Sequence, residues 1–224
     1  MFGGPALFRD RDDAGRKLGE KLAQVRLEDV LVLAIPCGGV PVAVQIANRL
    51  GAQLDLIVVR KLQIPWNPEA GFGALAPDGT VLLNPELTPH LHLTDAEIWE
   101  VEKRTMVEIE RRTQRFRGTQ PAPRLADRAV VLVDDGLASG YTMLAAAQSV
   151  RKAGPRHLVV AVPVASAGAA RLVKPACDRF IALHVSAALP FAVASFYERW
   201  RDLTDDEVLR YLQARGVPQT SMEE

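Results

Sequence analysis

Cysteine is almost missing from this 224-residue sequence. Cys37 and Cys177 are too few for a disulfide framework and too far apart for a metal-binding spacing. Net charge is missing too. The 27 basic residues balance 27 acidic ones, which removes the broad electrostatic footprint of a nucleic-acid or membrane-surface binder. Arg outnumbers Lys 21 to 6, a compositional habit rather than a binding patch. No apolar run approaches the length of a membrane span, and the polar, acidic N-terminal region has no signal-peptide core. The expectation is a soluble cytoplasmic protein with no membrane partner, and nucleic acid is disfavoured. The length suits a single α/β domain, residues 1–224, with an insertion or a small cap.

What the chain does contain is an alternation of helical and extended patterns. Asp10–Arg26 carries Ala14, Leu18, Leu22 and Val25 on one amphipathic stripe. Val30–Ile35 reads as a buried strand, Val40–Leu50 as a helix ended by Gly51, and Leu54–Val59 as a second strand ending in Arg60-Lys61. That order favours right-handed crossovers and a parallel sheet. Residues 63–120 change texture and read as an insertion of loop, hairpin and long helix. Ala76-Pro77-Asp78-Gly79 is its hairpin turn, and Thr94-x-x-Glu97 caps a helix over Asp95–Arg117. Gly71–Ala76 matches the dinucleotide fingerprint in letters, but a turn and not a helix follows, so it is a decoy. The basic tail Arg111-Arg112-x-x-Arg115-x-Arg117 reads as a solvated helix end rather than a nucleic-acid contact. His157–Ala165 is a further strand that Pro163 suggests runs out or lies near an edge, Ser166–Leu172 a short helix and Phe180–Val185 a last strand. His157 and His184 read as packed or capping imidazoles. Residues 187–224 form a C-terminal hood and helix segment, with a second capping box at Thr204-x-x-Glu207. Phe191–Trp200 gathers four aromatics, which either stack a planar base beside Arg199 and Arg201 or pack in the core.

The chain is organised around Ala129–Met143, AVVLVDDGLASGYTM. A β-branched run makes a buried strand, and Asp134 and Asp135 follow it directly. Gly136, Leu137, Ala138, Ser139 and Gly140 form a small-residue turn. Tyr141 and Thr142 then open a helix with Met143, Ala146, Ala147 and Val150 on its apolar side. Backbone N–H groups at such a helix start, joined by the Ser139 and Thr142 hydroxyls, donate to an anion, and the helix dipole favours negative charge. Two adjacent carboxylates would repel a bare phosphate. They suit ribose hydroxyls or a hydrated Mg²⁺ shared with substrate phosphates. A second candidate is Pro36-Cys37-Gly38-Gly39, where two glycines between strand and helix let backbone N–H groups approach an anion. Taken alone, that turn could equally bind nothing.

Val130–Thr142 resembles the phosphoribosyl-pyrophosphate (PRPP) signature of the type I phosphoribosyltransferase family, with Gly136 where the pattern normally has an apolar residue. The resemblance covers roughly residues 10–60 and 125–186, and the helix at 94–117 is similar to that of a predicted-phosphoribosyltransferase subgroup of undefined acceptor. It implies a mainly parallel sheet flanked by helices, with a small hood and an inserted long helix. It implies transfer of 5-phosphoribosyl from PRPP to a small nitrogenous acceptor, releasing pyrophosphate, with Mg²⁺ as cofactor. By position, Asp134 and Asp135 would hold the ribose hydroxyls and, through water, Mg²⁺. Residues Gly136, Leu137, Ala138, Ser139, Gly140, Tyr141 and Thr142 would bind the 5-phosphate. Cys37, Gly38, Gly39, Arg60 and Lys61 would hold the pyrophosphate, Arg60 and Lys61 acting with the aspartates in catalysis. Relatives often carry Arg or Lys at the position of Cys37, so this loop lacks a charge of its own. A mobile loop from the inserted part would close over the site and exclude water.

Ala138 bears on the acceptor. In 6-oxopurine salvage enzymes the equivalent loop position is an Asp that manages the base's proton, and alanine cannot do so. The loop is most similar to the adenine type. Two other readings of the same pocket stay open: a non-catalytic PRPP- or nucleotide-binding regulator, and hydrolysis or phosphorolysis of a related sugar phosphate. Homo-oligomerisation is left open by the sequence.

Overall fold

The computed structural model describes residues 6–215, so the first five residues and the end of the expected C-terminal segment, 216–224, lie outside the described residues. In chain order the elements are α1 (Arg11–Leu22), β1 (Val30–Ala34), α2 (Gly39–Leu50), β2 (Gln53–Leu56), β3 (Arg60–Ile64), β4 (Asn67–Leu75), β5 (Val81–Leu83) and α3 (Asp95–Arg117). After these come β6 (Ala129–Val133), α4 (Tyr141–Lys152), β7 (His157–Ser166), α5 (Ala167–Val173), β8 (Arg179–Ser186) and α6 (Asp205–Ala214). Five strands form a parallel sheet in the order β2-β1-β6-β7-β8. Its central strand, β6, is buried at all five positions, which is why it reads as an unbroken apolar run. Helices cover both faces, with α1 and α2 packed together on one and α4 and α5 on the other. No helix of the described residues is long and apolar enough to cross a membrane.

A second, antiparallel sheet, β3-β4-β5, is a meander whose last turn is the Ala76–Gly79 hairpin. The fingerprint-like Gly71–Ala76 lies mostly within β4, as its rejection requires. Capping boxes close the N-termini of α3 and α6 at Thr94/Glu97 and Thr204/Glu207. A hood is made where residues 7–9 are tied by backbone hydrogen bonds to residues 196–199, with Phe8 and Tyr197 bridged.

Four sequence expectations need correction. The second strand was expected to run to Val59 and end in Arg60-Lys61. Instead β2 stops at Leu56, because its partner β1 ends at Ala34, and Ile57 makes only one further bond, to the Ala34 carbonyl at 3.0 Å. Arg60 and Lys61 therefore open β3 in the other sheet. Pro163 does not end β7, which runs to Ser166. The β7–β8 ladder passes from Val162↔Ala182 to Val164↔His184 and leaves out Pro163, while Leu137 bridges to Ala165 on the other side. The basic tail of α3 is not a free solvated end either. Arg111 pairs with Glu108, Arg112 with Asp205, Arg115 with Asp206 and Arg117 with Asp55. His184 and His157 are both exposed and not packed in the core, the His184 ring lying 5.5 Å from that of Phe196.

The hairpin is anchored to helix α4 by Asp78. Its carboxylate accepts from Thr80 N–H at 3.1 Å, from Thr80 Oγ1 at 2.7 Å and from Lys152 Nζ on α4 at 3.1 Å. Burial alone would raise this carboxyl, but the hydrogen bonds from Thr80, Ser149 and Lys152 outweigh it and hold the group at about 2. A depressed carboxyl contributes stability that is present above its unfolded pKa and lost as pH falls through the folded one. Asp78→Asn is expected to destabilise the protein by about 1 kcal/mol at neutral pH, after discounting for partial solvent exposure. The gap to the wild type should close between about pH 4 and pH 2. Denaturant melts at several pH values measure it, and equal stability at pH 7 would contradict the assignment.

Candidate active site

The two sequence-derived loops leave adjacent strands at the same edge of the sheet. Register pairs Ala34 of β1 with Val133 of β6, so Ile35–Gly38 and Asp134–Gly140 start side by side. From β1 the chain winds to β2 on one side, and from β6 it winds to β7 and β8 on the other. This is a topological switch point, the place where open α/β sheets bind ligands.

Both helices that begin here lack a side-chain cap. The N-caps of α2 and α4 are Gly38 and Gly140, neither first turn holds an acidic residue, and no cap side chain bonds the N–H groups there. At α2 the Gly39 and Val40 N–H groups are spent on the Ile35 and Cys37 carbonyls at 3.0 and 3.2 Å and Pro41 has none, which leaves the Gly38 N–H. The other four α-helices of the described residues are capped by Asp10, Thr94, Ser166 and Thr204. Two helix ends without side-chain caps thus face the same crevice, α4 with its first-turn amides open and α2 with its dipole and the Gly38 N–H, and each favours an anion.

Asp134 and Asp135 lie between them. Asp134 Oδ1 accepts the Asp135 N–H at 2.8 Å, and Asp135 Oδ2 accepts from Arg11 Nε at 2.7 Å. Burial pushes both carboxyls above the ordinary range. The neighbouring Asp135 charge raises Asp134 further, while the Arg11 guanidinium works against the rise at Asp135. Arg11 itself is 8 % exposed. It is held by a bond to the Arg201 carbonyl at 2.9 Å and by the face of Trp200, 3.8 Å from its guanidinium carbon. Tyr197 completes the support, donating its hydroxyl to the Asp135 carbonyl at 2.7 Å. The aromatics of residues 191–200 therefore pack. Tyr197 lies between Phe8 and Trp200, with ring centroids 5.4 and 5.1 Å away.

Gly38 is where the two loops touch. A Cβ on it would come within 2.0 Å of Asp135 Oδ2, so only glycine admits the carboxylate. Gly136 has a different explanation. A Cβ there would lie 2.6 Å from Val193 Cγ1 and 2.8 Å from Val164 Cγ2. The apolar side chain that the signature normally carries at this position is replaced in space by Val193 of the hood.

The loop over residues 136–140 has fewer free donors than its sequence implied. Leu137 is buried, and its N–H is spent on the Val164 carbonyl at 2.9 Å while its own carbonyl accepts from Ser166 N–H at 2.8 Å. Leu137 is thus an anchor of the loop to β7 and not a ligand group. Ser166 Oγ adds a bond to the Ala138 carbonyl at 2.7 Å. Ala138 and Ser139 are exposed at the tip, and Gly140, Tyr141 and Thr142 form the helix start.

Arg60 and Lys61 are not brought together. Successive strand residues point to opposite faces. Lys61 lies across Gly71 and donates to the Glu69 carbonyl, while Arg60 lies near enough to Glu108 of α3 to lower its carboxyl. Cys37 instead meets a cation from elsewhere: Arg112 Nη2 of α3 approaches its Sγ to 2.9 Å. Among the described residues, no group of three or more His, Cys, Asp or Glu is placed to hold a metal ion.

Sequence reasoning missed Arg11, Tyr197, Arg112 and Asp205. A signal for both arginines was present. Arg11 falls on the stripe of Ala14, Leu18 and Leu22, and Arg112 on that of Ile109 and Phe116, so each charge sits at a core register.

The Val193–Gly136 contact makes a direct test. Gly136→Val is expected to destabilise by about 1–3 kcal/mol through overpacking. The double variant Gly136→Val/Val193→Gly should recover much of that loss, whereas strictly additive effects of the two substitutions in denaturant melts would contradict the contact.

The model of the phosphoribosyl transferase domain family matches residues 10–195. Two Mycobacterium tuberculosis proteins, "Putative phosphoribosyl transferase Rv0571c" and its counterpart MT0597, are 41% identical over 206 residues, 92% of this chain. The chain spans about half, 46%, of the length of these curated relatives. The crystal structure of TT1426 from Thermus thermophilus is 39% identical, with a TM-score of 0.76, covering 92% of this chain and 98% of that one. With its parallel sheet, flanking helices and signature at the switch point, the chain belongs to the phosphoribosyl transferase domain family.

Proposed function

We propose that the protein transfers the 5-phosphoribosyl group of PRPP to a small nitrogenous acceptor and releases pyrophosphate. The observation that carries this reading is the pair of helix N-termini without side-chain caps, one on each side of a half-buried acidic pair at the switch point. PRPP has that layout: a phosphate at one end, a pyrophosphate near the other and a diol between. The α4 end, with Ser139 and Thr142, takes the 5-phosphate. Asp134 and Asp135 accept from the ribose hydroxyls. The α2 end, through Gly38, takes the pyrophosphate, while the Gly39 N–H is engaged by the Ile35 carbonyl and Gly39 lets the turn pack against β6.

As the bond to pyrophosphate breaks, the sugar becomes oxocarbenium-like and negative charge grows on the leaving group. The Gly38 N–H and the positive end of the α2 dipole stabilise that charge without reorganisation, a preorganised donor of this kind being worth roughly 3–4 kcal/mol on removal. Burial pushes both carboxyls up, and the Arg11 guanidinium opposes that rise at Asp135, which favours Asp135 as the accepting carboxylate of the pair. The donor set also fits Mg²⁺. Two adjacent carboxylates, one held by Arg11 and the other by the Asp135 N–H and also bonded to each other, are oxygen ligands of the kind a hydrated cation takes when it replaces the shared proton. When bound, Mg²⁺ would supply charge neutralisation for the pyrophosphate.

A PRPP-binding regulator is the second reading. It is favoured by the charge-free Pro36–Gly39 loop and by an Asp135 that Arg11 already satisfies. Pyrophosphate release from PRPP with Mg²⁺ and a panel of bases separates the two, since the regulator binds PRPP without turnover.

Two outcomes are expected. Asp135→Asn should reduce PRPP turnover by at least about 100-fold with the fold retained by thermal melt, and unchanged turnover would remove the assignment. Because Ala138 cannot manage a proton, guanine and hypoxanthine should be consumed poorly beside other bases in the same assay. Efficient use of guanine would overturn the exclusion of 6-oxopurines.

A further inference from the structure

A pyrophosphate at the start of α2 would lack a cation from its own loop. Pyrophosphate carries several negative charges, yet Pro36-Cys37-Gly38-Gly39 contains no basic residue, Lys61 donates to the Glu69 carbonyl, and Arg60 lies beside Glu108 of α3. We propose that Arg112, carried on the inserted helix α3, supplies the cation of the pyrophosphate loop in place of a basic residue in the loop itself. This rests on the reading of the site as a PRPP site and adds a residue to it.

The geometry carries the proposal. Arg112 is 5 % exposed and sits on the buried stripe of α3, yet it reaches across to another element. Its Nη2 contacts Cys37 Sγ at 2.9 Å, one residue before the Gly38 cap of α2. Asp205, the first residue of α6, pairs with the same nitrogen, and the Cys37 thiol lies 3.5 Å from Asp205 Oδ1. The Phe116 ring lies 5.1 Å from the guanidinium carbon. The cation is thus fixed and desolvated before any ligand arrives. A guanidinium has five N–H donors, and the contacts to Asp205 and Cys37 both use Nη2.

A purely structural role explains this poorly. A buried ion pair is often no more stabilising than apolar side chains of similar size, and the position lies on an otherwise apolar stripe. A cation there costs desolvation that a ligand can offset. The same contact gives the insertion a role, because α3 brings to the loop the charge that the loop lacks.

The test is calorimetric titration of the full chain with inorganic pyrophosphate in the presence of Mg²⁺, alongside thermal melts. Arg112→Met suits the apolar stripe and should fold, while pyrophosphate binds about tenfold or more weakly. Arg112→Lys keeps the charge and should lose less than about threefold. Asp205→Asn keeps an acceptor for Arg112, so its melting temperature should fall while affinity stays within about twofold. Cys37→Arg/Arg112→Met, which moves the cation into the loop, should regain most of the lost affinity. Wild-type affinity in Arg112→Met, or equal losses in Arg112→Met and Asp205→Asn, would overturn the proposal. If the wild type binds PRPP and pyrophosphate but Arg112→Met binds pyrophosphate as well, only this inference fails. If the wild type binds neither, the reading of the site falls with it.

Discussion

The parallel pairing of β1 with β6 is the constraint on which the site depends. These strands are far apart in sequence, and the chain winds away from them in opposite directions. Their carboxyl ends therefore open side by side, and the helices that follow must start there. Both helix starts face one crevice, with Asp134 and Asp135 between them. Nothing in either loop alone creates this arrangement. Each is a strand-to-helix turn of a common kind, and only the ladder register makes them one site.

The same register forces charge into a buried place, and the rest of the structure is built to accommodate it. Two adjacent carboxylates cannot both ionise in a half-buried crevice without a partner. Arg11 supplies it, at a position that would otherwise be a core residue of α1, and Trp200, Tyr197 and the Arg201 carbonyl hold the assembly. Breaking such a pair from one side costs about 3–5 kcal/mol, because the other charge is left buried. The hood is thereby tied to the signature. Its residues 196–199 bond to residues 7–9 just ahead of Arg11, while Val193 covers Gly136. The N-terminal segment, the signature and the hood thus meet at Asp135, although they are distant in the chain.

Much of the fold was legible in the sequence. The alternation of apolar runs and amphipathic stripes placed the helices and parallel strands, and the capping boxes at Thr94 and Thr204 marked two helix starts. The errors came where tertiary context decides. Leu54–Val59 is uniform in composition, but its pairing stops with the partner strand, which moved Arg60 and Lys61 into another sheet and onto opposite faces. The acidic pair and the glycine turns were visible because the chemistry fixes residue type over a short stretch. Arg11 and Arg112 were not, because each lies over 70 residues from the loop it serves. Gly136 read as a departure from a pattern, yet it is one half of a packing exchange with Val193. Leu137 read as a donor and proved to be an anchor, since its N–H was committed to β7 by a bridge that no local pattern encodes.

The most direct test of the central claim is a crystal structure of the protein with PRPP and Mg²⁺ bound. The account predicts the 5-phosphate within hydrogen-bonding distance of the backbone N–H groups at the start of α4, the ribose hydroxyls on Asp134 and Asp135, and the pyrophosphate at the start of α2. A PRPP molecule bound away from the crevice between β1 and β6, or with its phosphates on neither helix start, would contradict it.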